Sequence, residues 1–203
     1  APGLGKTKTG RLWVYVRDDR PAGSAEPPAA WYRYSPNRKG EHPQGHLKNY
    51  CGILQADAYG GYGKIYATGR IDEAACWAHA RRPFWDLYEN QGRVPGSIAD
   101  QALQRIAALY AIEAEIRGQP PDVRCRQRQA RAGPLLDELR AWLTGMVGRV
   151  SAKSELARAI GYALTRWQAL TRYRNDGSIE IDNNAAERAL RGVALGRGNY
   201  LFM

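Results

Sequence analysis

The sequence predicts an α/β domain interrupted by an all-helical block, and three observations carry that expectation. Runs rich in aromatic and β-branched residues, Arg11–Arg17 and Trp31–Tyr34 above all, are confined to the first third of the chain. From Pro83 to about Tyr173 apolar residues recur at helical spacing instead. After a turn at Asn175-Asp-Gly177, the run Asp182-Asn-Asn184 supplies capping side chains for a last helix, Ala185–Val193.

The elements follow in order. Arg11–Arg17 reads as a strand, the proline-rich segment Asp18–Ala29 as a loop, and Trp31–Tyr34 as the hairpin partner of the first strand. A short helix is expected through His46–Tyr50. Gly52–Asp57 is a short apolar run that ends on a carboxylate before glycines, the pattern of a buried strand whose end faces a cleft. Lys64–Arg70 reads as a helix and Ala74–Ala78 as another buried strand. In the helical block, Leu103, Ile106, Leu109, Tyr110, Ile112 and Ile116 share one side of a wheel. Leu135, Leu136, Leu139, Trp142, Leu143 and Met146 fall within about a third of the wheel, and Leu156, Ile160, Ala163, Leu164, Trp167 and Leu170 do the same over five turns. Gly118–Pro121 and Gly145–Val150 break the helices, and Ile179–Ile181 reads as a short extended run.

Composition narrows the function. Thirty Lys+Arg against twenty Asp+Glu give the 203 residues a net charge of +10, and a folded chain that basic usually meets a polyanion. The basic set is mostly arginine, which favours bidentate phosphate contacts. No apolar run approaches a membrane span and no signal peptide is visible. Three cysteines at irregular spacing are not a disulfide framework, so a reducing cytoplasm is expected. Phosphate-binding glycine loops and the Gly-x-Ser-x-Gly elbow are absent. The chain starts at Ala1 rather than a methionine and reads as a piece of a longer protein.

Four constellations could carry chemistry. Asn183, Glu187 and Arg191 are spaced i, i+4, i+8 on one helix face, either a metal- and phosphate-binding set or a capped surface helix with a Glu–Arg pair. Asp57 is either a metal-binding carboxylate at a strand end or a turn cap. Cys76-x-x-His79 is either a buried cysteine with a hydrogen-bonded histidine or half of a zinc site completed by His42, His46 or Cys51. The adjacent Arg81 and Arg82 are candidate phosphate contacts. Arg124, Arg128 and Arg131 form a basic stripe, either a solvated face or a DNA contact.

Four motifs occur in order: Leu54-Gln-Ala-Asp-Ala-Tyr-Gly-Gly-Tyr62, Cys76-Trp-Ala-His-Ala-Arg-Arg82, Ile181-Asp-Asn-Asn-Ala-Ala-Glu-Arg188 and Leu195-Gly-Arg-Gly-Asn-Tyr-Leu-Phe202. Together they resemble the central catalytic domain of the insertion sequence 66 family of bacterial transposases, over nearly the whole chain. The resemblance implies an RNase H-like mixed sheet with an all-α insertion before the last catalytic helix. On that pattern residues 1–82 form the first part of the core, 83–174 the insertion, and 175–203 the glutamate helix and C-terminal segment. It implies a DDE-type site in which two Asp and one Glu hold two Mg²⁺ or Mn²⁺ ions. Asp57 matches the second aspartate and Glu187 the glutamate, while Cys76, His79, Asn183 and Asn184 would support the site. Arg81, Arg82, Arg188, Arg191 and Arg197 would contact DNA.

Two departures from the pattern stand out. The family commonly has a lysine where Gly198 stands, and no segment matches the strand of the first aspartate, for which Asp18 and Asp19 are the only nearby substitutes. The implied reaction is metal-assisted cleavage and transfer of DNA strands during transposition. One ion would activate water or a 3′-hydroxyl and the other stabilise the leaving oxygen, and hard Mg²⁺ prefers the oxygen ligands that carboxylates provide. The implied partners are transposon-end and target DNA, accessory proteins of the same element and further copies of the chain on DNA, in the bacterial cytoplasm at the nucleoid. A non-catalytic, DNA-binding transposase remnant is the alternative. A different RNase H-like nuclease is disfavoured by the long helical insertion.

Overall fold

The computed structural model describes residues 10–199, with side chains described as far as Val193. Strand β1 (Arg11–Arg17) pairs antiparallel with β2 (Ala29–Ser35), Arg11 opposite Ser35 and Arg17 opposite Ala29. Trp13 is the buried residue of β1, and its indole N–H donates to the Ser35 hydroxyl at 2.8 Å, pinning the end of the hairpin. Helix α1 (Glu41–His46) lies before the expected His46–Tyr50, because Pro43 fits the first turn, where no N–H is needed. Strand β3 (Gly52–Gln55) pairs in parallel with β4 (Ile71–Ala74), and between them α2 (Gly63–Tyr66) is shorter than the expected Lys64–Arg70.

The strand expected over Ala74–Ala78 lies earlier, and Trp77 already opens helix α3 (Trp77–Asn90), which carries Pro83 inside it. A run of five small or apolar residues buried on all sides has no periodicity to tell strand from helix. The helical part therefore begins before Pro83, and α3 runs through position 82.

Helix α4 (Ile98–Ile116) is capped by the Ser97 hydroxyl, which accepts from the Asp100 N–H. Helix α5 (Pro121–Gln127) continues through a π-helical turn (Arg128–Ala132) into α6 (Gly133–Val147). The expected five-turn helix divides at Arg166 into α7 (Glu155–Thr165) and α8 (Trp167–Thr171). Leu103, Ile106, Leu109, Leu136, Leu139, Leu143, Ile160 and Leu170 are all buried in one core. Each such side chain contributes about 1.5–3 kcal/mol of hydrophobic stabilisation. Trp77, Phe84, Ile179 and Ile181 belong to the same core, so the helical block is packed into the segments that carry the site rather than hung beside them. A smaller core, Leu47, Ile65 and Ile71, lies under β3 and β4.

The short run Ile179–Ile181 joins no sheet, its backbone bonding singly to neighbouring segments, as where the Ile181 carbonyl accepts from the Trp77 N–H. Two expectations change here. The last helix, α9 (Asn184–Asn199), runs past Val193. Arg124 and Arg128 are buried rather than on a basic stripe. Both bind the buried Glu113 carboxylate, Arg128 through Nε at 2.8 Å and Arg124 at 3.4 Å. Both also donate to backbone carbonyls of the turn before α9, Arg128 to Tyr173 and Asp176, Arg124 to Gly177.

Among the described residues β1 bonds only to β2 and β3 only to β4, giving two separate two-stranded sheets. A groove of about 600 Å³ is lined by Val14–Asp19, by Ala29–Trp31 of β2, by His46, Leu47 and Tyr50, by Ile53–Gln55 and by parts of the segment 178–186.

Candidate active site

Asp57 and Glu187 line one cleft of about 220 Å³, together with Trp13, Arg38, His79 and Asn183 among others. Asp57 stands two residues past β3, where the Ala56 N–H donates to the Ala74 carbonyl at 3.1 Å and continues the ladder by one bond. The Gln55 amide just before it donates to the carbonyls of Ala75 (3.2 Å) and Glu180 (2.7 Å), tying β3 to the approach to α9.

Glu187 sits in the first turn of α9, where a carboxylate is favoured by the helix dipole. Asp182 fixes that turn: one carboxylate oxygen accepts from the Asn184 N–H at 3.1 Å and the other from the Tyr110 hydroxyl at 3.0 Å. Burial, then the Asp182 charge, push the Tyr110 phenol well above its usual range, so it stays a donor.

Each carboxylate faces a cation or potential cation. The Arg38 guanidinium lies 3.6 Å from an Asp57 oxygen, and His79 Nε2 lies 3.6 Å from a Glu187 oxygen. These distances are ion-pair contacts rather than hydrogen bonds. Burial, then the Asp57 charge, push the nearby Tyr62 phenol up to about 12.

Cys76 lies outside the cleft lining and acts from behind it. It is fully buried, its sulfur accepts from the Asn183 N–H at 3.4 Å, and burial pushes its thiol above the usual range. A protonated, buried thiol is a poor zinc ligand. Of the expected zinc partners, His46 bonds the Tyr15 hydroxyl at 3.0 Å, His42 bonds Asn37, and Cys51 is exposed. Cys76 is the buried cysteine expected, but the His79 ring is not hydrogen-bonded as expected: its Nδ1 is buried without a partner among the described residues and its Nε2 lies 3.6 Å from Glu187.

The arginines divide. Arg81 stacks on Trp85 at 5.0 Å, and Arg82, Arg188 and Arg191 are exposed. None of the four lines the cleft, while Arg11 and Arg38, which the motifs do not single out, do. The side chain of Arg197 lies outside the described residues. Gln55 stands within the motif that leads to Asp57, whereas Arg38, between β2 and α1, is marked by nothing in its own segment.

A divalent cation would find hard oxygen donors here in Asp57 and Glu187, and the Asn183 side-chain oxygen is buried without a partner among the described residues. The donors fit such an ion in kind. In number they fall short, since no group of three His, Cys, Asp or Glu residues is placed to hold a metal ion among the described residues.

Comparison with known proteins bears on this cleft. A model of the transposase IS66 family matches residues 1–203, and the chain belongs to that family. The uncharacterized protein y4hP of Sinorhizobium fredii is 43% identical over 210 residues, covering 97% of this chain and 38% of its own length. The uncharacterized proteins y4qI and y4jD of the same organism are 39% and 37% identical over the whole chain, which covers 38% and 40% of their lengths. The chain thus spans about two-fifths of the curated relatives it matches. No solved structure matches. Among the described residues no helix is long and apolar enough to cross a membrane.

Proposed function

We propose that this chain forms most of the catalytic core of a transposase that cuts and joins DNA by metal-assisted phosphoryl transfer. The observation that carries the reading is that Asp57 and Glu187, far apart in sequence, line one cleft in a chain of a transposase family. They would hold Mg²⁺ or Mn²⁺ as two of the three carboxylates of a two-metal site. Bound ions would lower the pKa of the attacking water or 3′-hydroxyl and stabilise the leaving oxygen. His79 and Asn183 hold the Glu187 turn against the cleft, with Cys76 and Asn184 fixing its backbone. Arg188 and Arg191 on α9, continued by Arg197, and Arg81 and Arg82 on α3 would bind the phosphates of transposon-end and target DNA. Further copies and accessory proteins would assemble on that DNA at the nucleoid.

The same reading makes the two sheets halves of one RNase H-like mixed sheet. A strand entering the groove would lie against residues of both β1 and β3, each of which pairs with one strand among the described residues. Groove and cleft share Tyr15, Leu54, Gln55 and Asn183, so a carboxylate at the end of that strand would stand beside Asp57. Asp18 and Asp19 line the groove but not the cleft, and are held by Arg20 and Arg17, so they are poor substitutes.

The alternative, a DNA-binding remnant without catalysis, is favoured by one observation: Asp57 and Glu187 are the only carboxylates lining the cleft among the described residues. Strand cleavage and joining on transposon-end DNA with Mg²⁺ or Mn²⁺ separate the two. The 203-residue chain is expected to be inactive. A longer chain that supplies the missing strand, with the element's accessory proteins, is expected to cut, and Asp57→Asn or Glu187→Gln to abolish cutting. The remnant, which lacks the first catalytic aspartate, is supported if the upstream sequence of the gene supplies no third carboxylate and the product binds DNA without cutting it. Cutting by the short chain that is lost on Asp18→Ala or Asp19→Ala would place the first carboxylate in the hairpin loop.

A further inference from the structure

Arg38 is, with Arg11, one of two arginines of the cleft that no motif marks, and its setting is unusually well built for a half-exposed arginine. It lies between β2 and α1, in a segment fixed at both ends. The Ser35 hydroxyl donates to the Asn37 carbonyl at 2.6 Å, and the Asn37 side-chain oxygen bonds the Lys39 N–H and His42 Nε2, both at 2.9 Å. Tyr59 then holds Arg38 twice. Its hydroxyl donates to the Arg38 carbonyl, and its ring lies under the Arg38 guanidinium, 4.2 Å from centroid to Cζ.

Two glycines allow this approach. A Cβ on Gly61 would fall 2.2 Å from the Tyr59 ring, and one on Gly40 would fall 2.6 Å from the Gly61 carbonyl oxygen. The guanidinium is thereby presented to Asp57 at 3.6 Å, with 55% of the Arg38 side chain and 41% of the Asp57 side chain still open to solvent. A purely structural pair would close to hydrogen-bonding distance and lose its water; this one does neither.

We propose that Arg38 is an exchangeable counter-ion: it neutralises Asp57 when the cleft is free of metal and turns to a DNA phosphate when a divalent cation takes the carboxylate. This rests on the proposed metal site at Asp57. Cation–π stacking keeps the guanidinium in place without using its N–H donors, which remain available for a bidentate phosphate contact. Coulomb repulsion makes the same arginine a competitor of the metal. Its removal therefore acts in opposite directions on two ligands, which loss of a structural contact would not do.

The test uses the longer chain that supplies the third carboxylate and compares its wild type with Arg38→Gln and Asp57→Asn. Binding of Mn²⁺ alone is followed by electron paramagnetic resonance, and binding of duplex DNA at saturating Mn²⁺ is followed as a function of salt. Arg38→Gln is expected to bind Mn²⁺ about three- to tenfold more tightly. It is also expected to bind DNA more weakly, with a log–log salt slope smaller by about 1, the value of one phosphate contact. Mn²⁺ binding that is lost in Asp57→Asn but unchanged or weakened in Arg38→Gln would overturn the counter-ion role and leave the metal site standing. An unchanged salt slope would overturn the phosphate contact. Mn²⁺ binding that is absent from the wild type, or the same in Asp57→Asn, would overturn the metal site and the counter-ion role with it.

Discussion

Two sets of arginine–carboxylate contacts in this molecule use the same groups to opposite ends. In the helical block, Arg124 and Arg128 close on Glu113 with side-chain exposures of 1%, 0% and 9%, Nη1 of each reaches backbone carbonyls, Arg124 also binds the Glu180 carboxylate, and its Nε alone is left without a partner among the described residues. In the cleft, Arg38 and Asp57 meet at 3.6 Å, half open to water. Desolvated charges are tolerable only when nearly every donor and acceptor is satisfied, so the first set joins α4 and α5 to the turn before α9 and cannot let go. A solvated pair contributes little to stability and exchanges partners at little cost. The fold's fixed part and its reactive part are distinguished by burial, not by residue type.

The comparison breaks most visibly at Glu113. Glu113→Ala leaves the Arg128 guanidinium buried without a carboxylate and Arg124 with Glu180 alone, and a loss of about 3–5 kcal/mol is expected from urea unfolding. A loss below about 1 kcal/mol would show that water reaches the cluster.

Charge reversal on the exposed face of α9 comes next. Arg188→Glu or Arg191→Glu is expected to weaken duplex DNA binding and lower the salt slope by roughly 1–2. Arg17→Glu is expected to do less, because Arg17 is already paired with Asp19 at 2.6 Å. Equal effects at all three would point to diffuse attraction rather than a binding face.

A smaller effect is expected at Asp18. Hydrogen bonding to Arg20, at 2.7 and 2.8 Å, holds its carboxyl below the usual carboxylate range. A carboxyl depressed in the folded state stabilises the fold above its unfolded pKa and ceases to do so as pH falls through the folded value. The thermal midpoints of wild type and Asp18→Asn should therefore differ near neutrality and converge in acid. Curves that stay parallel would show that the pair contributes nothing to folding.

The smallest stability change is expected in the cleft itself. Asp57→Asn and Glu187→Gln should move the unfolding free energy by no more than about 0.5 kcal/mol, the range of surface substitutions. A large loss from either would place that carboxylate with Glu113 among the structural ones.

What the sequence determined by itself is local or periodic. The hairpin was legible in the aromatic and β-branched runs around Arg11–Arg17 and Trp31–Tyr34, and most of the buried residues of α4, α6 and α7 in their 3.6-residue spacing. Asp57 and Glu187 were legible as residues, one at a strand end and the other in a capped first turn. The tertiary structure decided everything that depends on distance across the chain. Arg124 and Arg128 read as a surface stripe because helical spacing gives the angle of a side chain but not what lies opposite. Only packing brings Glu113, Gly177 and Glu180 against that face. Ala74–Ala78 was ambiguous because burial on every side erases the period that separates strand from helix. Arg38 was silent for the same physical reason: its function depends on a tyrosine ring and a carboxylate delivered by the loop after β3, and no pattern within its own segment records their arrival.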